Sequence, residues 1–147
     1  MMKKYKDHLK NERGLTLVEL LAVLVIIGII ATIAIVMIGN VISDSRDKAI
    51  LADAQNILSA AKIAQANGEG TKQSDGSVEF DRDLLQHYVD GVELGPNDKV
   101  VYTRSGSKGQ WTIHYGKLSD IRNKEKFDVQ GTSITDDKLS ELLSGED

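Results

Sequence analysis

The sequence predicts an α+β fold: one long N-terminal α-helix packed on a small antiparallel β-sheet head. Three observations predict it. No formally charged side chain occurs from Leu20 to Ser43, and the apolar periodicity behind that run continues without a proline to "NGEG" at 67–70. The C-terminal part then contains short stretches in which apolar and polar residues alternate.

The uncharged run supplies the first half of the helix. Twenty residues, Leu20 to Gly39, span about 30 Å in a helix, the thickness of one bilayer core. The run is rich in Ile, Val, Leu and Ala, and a helix satisfies its own backbone in lipid. Before it stand Lys3, Lys4, Lys6, Lys10 and Arg13 against Asp7 and Glu12, whereas "SDSRDK" behind it is close to balanced. The positive-inside bias therefore predicts a single pass with the N-terminus in the cytoplasm and the chain beyond about residue 44 outside. A secretory signal peptide has an apolar core of about 7–15 residues and a small-residue cleavage site. This run is longer and leads directly into more helix.

In 44–67, apolar residues recur at Ile50, Ala54, Ile57, Leu58, Ala61 and Ala64, one face of a 3.6-residue period. Arg46, Lys48, Asp53, Gln55 and Lys62 fall largely elsewhere, and Gly68 suits a left-handed C-terminal cap. The expected helix runs from Leu15 to Asn67, about 80 Å. It divides into an apolar half, 15–43, and an amphipathic half, 44–67.

Residues 68–147 form the expected head. Eighty residues make a small core, so the amphipathic half of the helix is expected to supply one of its layers. "DRDLLQHYV" (81–89) reads as a short helix with Leu84, Leu85, Tyr88 and Val89 on its apolar face, and Gly91, Gly95 and Pro96 mark a loop. "KVVYTR" (99–104) and "WTIHYG" (111–116) read as a hairpin across "SGSKGQ", with Trp111, Ile113 and Tyr115 on one face and Thr112 and His114 on the other. "KFDVQ" (126–130) alternates through Phe127 and Val129 and is expected as a third strand. The tail "SITDDKLSELLSGED" has a helix N-terminus signature and carries Leu139, Leu142 and Leu143.

Composition narrows the chemistry. The 147 residues include no cysteine, which removes disulfides and thiolate metal sites. His8, His87 and His114 are isolated, so no metal site and no cofactor is expected. Asp81 with Asp83, and Asp136 with Asp137, are pairs that a calcium site draws on, but no complete EF-hand loop is present and acids at helix starts account for both. "SGSKGQ" lacks the spacing of a phosphate loop, and no nucleophile–base–acid set stands out, so the chain is not read as an enzyme. Residues 1–14 carry five basic and two acidic side chains; removing that +3 from the total of −4 leaves −7 for 15–147. An acidic chain is a poor phosphate binder, and the one basic cluster, Lys117, Arg122, Lys124 and Lys126, reads as a solvated loop. Direct nucleic-acid binding is not expected.

One residue departs from the membrane-span pattern. Glu19 places a carboxylate in the apolar segment, just after the basic leader "KKYKDHLKNERG", where a lone charge costs several kcal/mol at depth. The segment "KNERG-LTLVELL" resembles the class III signal of type IV pilins and pseudopilins: a short basic leader ending in glycine, a hydrophobic residue, and a glutamate at the fifth position of a long apolar helix. The resemblance covers residues 1 to about 67. It implies a leader, 1–14, removed by a prepilin peptidase that cuts after Gly14 and methylates the new amine of Leu15. It also implies that Glu19 pairs with the Leu15 amine of a neighbouring subunit while the helices bundle into a filament.

Physical reasons run beside each role. Gly14 has no side chain, which lets an extended leader lie close in a protease cleft. Cleavage creates a cation one turn before an acid at a helix N-terminus. Pairing between subunits cancels two desolvation costs and fixes axial register.

The implied partners are further copies of the chain, minor pilins, the peptidase/methyltransferase, an assembly-platform protein and a cytoplasmic ATPase, with the membrane as the site before assembly. The small cysteine-free head resembles Gram-positive-type or competence pilins, and Glu19 favours a major subunit. Adhesion, motility and DNA uptake are the implied uses; a secretion pseudopilin and a non-polymerising, membrane-anchored binding domain are the alternatives. Many pilins carry proline in the outer part of this helix. "IAIVMIGN" has Val36 and none, leaving Gly28, Thr32 and Gly39 as the softer positions, since glycine costs about 1 kcal/mol relative to alanine.

Overall fold

The computed structural model describes the backbone of residues 2–145 and the side chains of 16–145. Helix α1 spans Met2–Ala66, and the chain divides into two compact units, Met1–Ile42 and Ser43–Asp147. The helix begins at the leader rather than at the expected Leu15. Lys, Leu, Glu and Arg in the leader are good helix formers and no proline intervenes, so Gly14 alone, at about 1 kcal/mol, does not break the helix. The leader backbone from Met2 is helical, and α1 is equally unbroken through Gly28, Thr32 and Gly39.

In the second unit, α1 buries Asp47, Ile50, Leu51, Ala54, Ile57, Leu58, Ala61 and Ala64, a stripe at three- and four-residue spacing. Each fully buried Leu or Ile contributes about 1.5–3 kcal/mol, and Ala54, Ala61 and Ala64 are completely buried beside them. The end of α1 follows from Gly68, whose φ of +77° few other residues adopt. Glu69 N–H donates to Ala64 O and Gly68 N–H to Gln65 O, both at 2.9 Å. These are the two bonds of a Schellman cap.

The partner layer is one antiparallel five-stranded sheet in the order β1-β2-β3-β4-β5, a simple meander. The strands are β1 (Thr71–Lys72), β2 (Val78–Phe80), β3 (Lys99–Ser105), β4 (Lys108–His114) and β5 (Ser133–Thr135). Register aligns Phe80 with Val100, Val100 with Ile113, and Ile113 with Ile134. All four are buried, forming one apolar row across four strands that fixes register, since a one-residue slip would turn every member outward. A neighbouring row places Tyr102 opposite Trp111, ring centroids 4.7 Å apart. The hairpin turn is only Gly106 and Ser107, shorter than the six-residue connection expected.

Four short helices complete the head: α2 (Arg82–Leu85), a 3-10 turn (Gly116–Asp120), α3 (Lys124–Phe127) and α4 (Asp136–Ser144). Leu85 and Leu139 are fully buried, whereas Leu143 is exposed. The expected strand at 126–130 is not formed. Asn123 Oδ1 accepts from Lys126 N–H at 3.2 Å and caps α3, and Asp128 is left-handed at φ +38°. Phe127 and Val129 both reach the core, but through a helix end and a turn. The strand that pairs with β4 on the side away from β3 is β5, immediately before α4.

Candidate processing and assembly segment

Residues 16–42 form a helix whose large apolar side chains are exposed among the described residues. Every large hydrophobic from Leu17 to Ile42 is exposed, from 53% at Val23 to 71% at Ile35, whereas Leu51 on the same helix is 0% exposed. The segment is long and apolar enough to cross a membrane. Thr32 is one of its few polar residues, and its hydroxyl donates to Gly28 O at 2.8 Å. That bond lets it enter an apolar phase without an unsatisfied donor. A Cβ at Gly28 or Gly39 would meet nothing within 4 Å.

Glu19 is exposed on this helix, and among the described residues it makes no ion pair. Four residues separate it from Leu15, about 6 Å of helical rise, so the two lie one turn apart on the same face. Gly14 and Leu15 have helical backbone; their side chains lie outside the described residues.

Beyond Ile42 the helix acquires partners through two aspartates that sequence reasoning did not single out. Asp47 is completely buried and accepts from Arg122 N–H (3.1 and 3.2 Å) and Asn123 N–H (2.9 Å). Asp44 accepts from Asn123 Nδ2 (3.2 Å) and Lys126 Nζ (2.7 Å). The Lys126 and Asn123 bonds hold the Asp44 carboxyl below its ordinary value. Together they tie the segment before α3 to the first turns of the head's helix. One signal was available: position 47 continues the buried stripe 50, 51, 54 upstream, and a carboxylate on a core face needs donors.

A third carboxylate, buried Asp98, joins two loops by accepting from Gly95 N–H at 2.7 Å and Gly116 N–H at 2.8 Å. Higher on the helix, Asp53 faces the Tyr115 hydroxyl at 3.4 Å. Burial first, and then that carboxylate, push the Tyr115 phenol up.

The remaining sequence candidates have local roles. Asp81 caps α2 by accepting from Leu84 N–H at 2.9 Å, and Asp136 accepts from Trp111 N–H at 3.3 Å. In "SGSKGQ" the tip is a hairpin turn, and a Cβ on Gly109 would collide with the Tyr102 ring. His87 Nδ1 lies 2.7 Å from Asp83 O. His114 is half-buried on the outer sheet face, where burial and then Lys99 lower its pKa. Among the described residues no three His or acidic side chains cluster as a metal site requires.

Residues 9–35 match the family described as the prokaryotic N-terminal methylation motif. The match includes Gly14, Leu15 and Glu19 and stops within the apolar helix. No curated protein and no solved structure matches the chain at a significant level. The match supports a type IV pilin-like class III signal peptide. A motif of this kind implies processing by a prepilin peptidase and filament assembly. With the apolar helix, it supports membrane anchoring and a pilus-like surface filament.

Proposed function

We propose that this chain is a structural subunit, and specifically a major pilin, of a type IV pilus-like surface filament that serves adhesion, motility or DNA uptake. The observation that carries the reading is the coincidence of the methylation motif at 9–35 with a helix whose apolar surface is uncovered from Leu17 to Ile42. A helix apolar all round requires lipid or other helices. The precursor uses lipid, with its N-terminus in the cytoplasm and its head outside, and the filament substitutes copies of the same helix. Its role is architectural, and the force for assembly comes from a separate cytoplasmic ATPase acting with a platform protein.

Cleavage between Gly14 and Leu15 and methylation of the Leu15 amine precede assembly. The Glu19 carboxylate of one subunit then pairs with the amine of a neighbour. Either charge alone in the apolar phase costs several kcal/mol, so a subunit in register is strongly preferred over one displaced by a turn. Minor pilins and further copies of the chain are the partners within the filament.

Replacing Glu19 by alanine tests the pairing. Cells carrying Glu19→Ala are expected to process the precursor and retain it in the membrane, with surface filaments lost in electron micrographs of sheared material. Filaments at the normal number and length would exclude Glu19 from assembly.

A further inference from the structure

We propose that Asn67–Gly68, where α1 ends, is a site of non-enzymatic deamidation. Tyr88 keeps the site closed, and the modified residue no longer holds the end of α1 to the turn after α2. The inference is independent of the membrane and filament readings, because every group in it belongs to the unit Ser43–Asp147.

The chemistry follows from the dipeptide. Hydroxide takes the amide proton of Gly68, and Gly68 N attacks the side-chain carbonyl carbon of Asn67. The N–Cγ bond forms, the Cγ–Nδ2 bond breaks, and Nδ2 leaves as ammonia with a proton from water. Water then opens the succinimide ring at either carbonyl, giving aspartate or isoaspartate at position 67. No oxidation or reduction is involved. The attack is least hindered where the following residue has no side chain, and of the six asparagines only Asn67 precedes glycine. Residues 66–69 are exposed, so water and hydroxide reach the bond.

Two aspartates also precede glycine, at Asp75–Gly76 and Asp90–Gly91. They reach the same ring only from a protonated carboxyl, with water as the leaving group. Ser77 opposes this at Asp75: its hydroxyl (2.6 Å) and N–H (2.9 Å) donate to the carboxylate and hold its pKa below the ordinary value. The amide of Asn67 needs no such protonation.

Folding opposes the attack. Asn67 N–H donates to Ile63 O at 3.0 Å and Gly68 N–H to Gln65 O at 2.9 Å, so the attacking nitrogen is engaged in the Schellman cap. The leaving group is held as well. Asn67 Nδ2 donates to the Tyr88 hydroxyl at 3.0 Å, and that hydroxyl donates to Glu69 Oε2 at 2.7 Å. The last turn of α1 must therefore open before the ring closes, a local event that leaves the core intact.

The same three residues give the modification its consequence. A tyrosine hydroxyl has one proton, and here it goes to Glu69. The amide at position 67 completes the chain as a donor, whereas a carboxylate there has nothing to donate and competes with Glu69 for that proton. It also adds negative charge at the C-terminal end of a helix, where the dipole disfavours it. Deamidation thus breaks the link from Asn67 through Tyr88 to Glu69.

The test incubates the full-length chain, solubilised in detergent, in mildly alkaline buffer and maps deamidation by peptide mass spectrometry. The same chain in guanidinium gives the unfolded rate. Asn67 is expected to convert in the folded chain ahead of the other asparagines, and more slowly than in guanidinium. Tyr88→Phe removes the hydroxyl and keeps the ring. It should raise the folded rate about 2- to 10-fold, as loss of one hydrogen bond does, and leave the guanidinium rate unchanged. Leu58→Ala loosens the whole head and should change the folded rate by less than it changes the unfolding equilibrium. Asn67→Asp installs one product directly and should speed amide exchange at 66–69 and 86–89.

An Asn67 that stays intact in the folded chain while the unfolded chain converts overturns the site. Equal folded rates in the wild type and Tyr88→Phe overturn the closure by Tyr88, as does a Leu58→Ala rate that rises in full proportion to its loss of stability. Unchanged exchange in Asn67→Asp overturns the consequence.

Discussion

The two parts of helix α1, residues 16–42 and 43–66, have the same secondary structure yet different composition and opposite surroundings: 21 of 27 residues are apolar in the first and 12 of 24 in the second. In the second part the apolar residues occupy one stripe, alanine at 54, 61 and 64 is completely buried, and Leu51, Ile57 and Leu58 are at most 1% exposed. In the first part apolar residues occupy all faces, and the least exposed large one is Val23 at 53%. A single small sheet covers one side of a helix, so a helix apolar on every side cannot be buried within this chain. Apolar content and its patterning together separate a segment that folds the head from one that is left for lipid or other copies.

Substitutions of the same chemistry in the two parts should sharpen that contrast. Leu58→Ala leaves a cavity between α1 and the sheet and is expected to cost the head about 2–5 kcal/mol, seen as a lower midpoint in thermal unfolding of the detergent-solubilised protein. Leu24→Ala should leave that midpoint unchanged. Equal losses at the two positions would show that the first part is also packed within the chain.

The next effect is at the boundary between them. Asp47→Ala leaves the N–H groups of Arg122 and Asn123 without their acceptor and should cost about 2–3 kcal/mol. Faster amide exchange at 121–127 should accompany the loss, because that segment is what Asp47 holds. A smaller loss is expected from Gly109→Ala, about 1–3 kcal/mol, since its Cβ would occupy the space of the Tyr102 ring. Gln110→Ala on the neighbouring, exposed position serves as the comparison.

The smallest effects are those of pH, and they too should be confined to the second part. The pKa of His114 is lowered by folding, so the unfolded chain binds more protons than the folded one below about pH 6.5. Its contribution to stability is complete above that pH and is lost as pH falls through the depressed folded value. His114→Gln should flatten the dependence of the unfolding midpoint between about pH 7 and 5. The lowered pKa of Asp44 acts further down: its contribution is present above the unfolded carboxylate value near 3.8 and is lost on acidification below it. Asp44→Asn should remove that acid-limb loss.

The features legible in the sequence were those carried by long or local patterns. The buried stripe from Ile50 to Ala64 and the Gly68 cap follow from a period sustained over four turns, and Trp111, Ile113 and Tyr115 share the predicted inner face. Strands of three residues are too short for alternation to declare itself, which is why Val78–Phe80 and Ser133–Thr135 were not foreseen. At 126–130 the alternation of Phe127 and Val129 suggested a strand, but the Asn123 cap and the left-handed Asp128 deliver the same two side chains to the core by another backbone route.

The motif residues Gly14, Leu15 and Glu19 are adjacent and could be read directly. Asp47 could be read only as a carboxylate on the buried face, and the partners of Asp44, Asp47 and Asp98 could not be read, because they lie 18 to 82 positions away or in a loop whose path only the fold determines.

Mass spectrometry of the N-terminus of the protein recovered from cells that possess the prepilin peptidase tests the central claim most directly. The account predicts a chain that begins at Leu15 and carries one added methyl group on its amine, in both the membrane pool and any sheared filaments. A chain beginning at unmodified Met1 in those cells would contradict it, leaving residues 1–42 as a permanent anchor with no assembly role for Glu19.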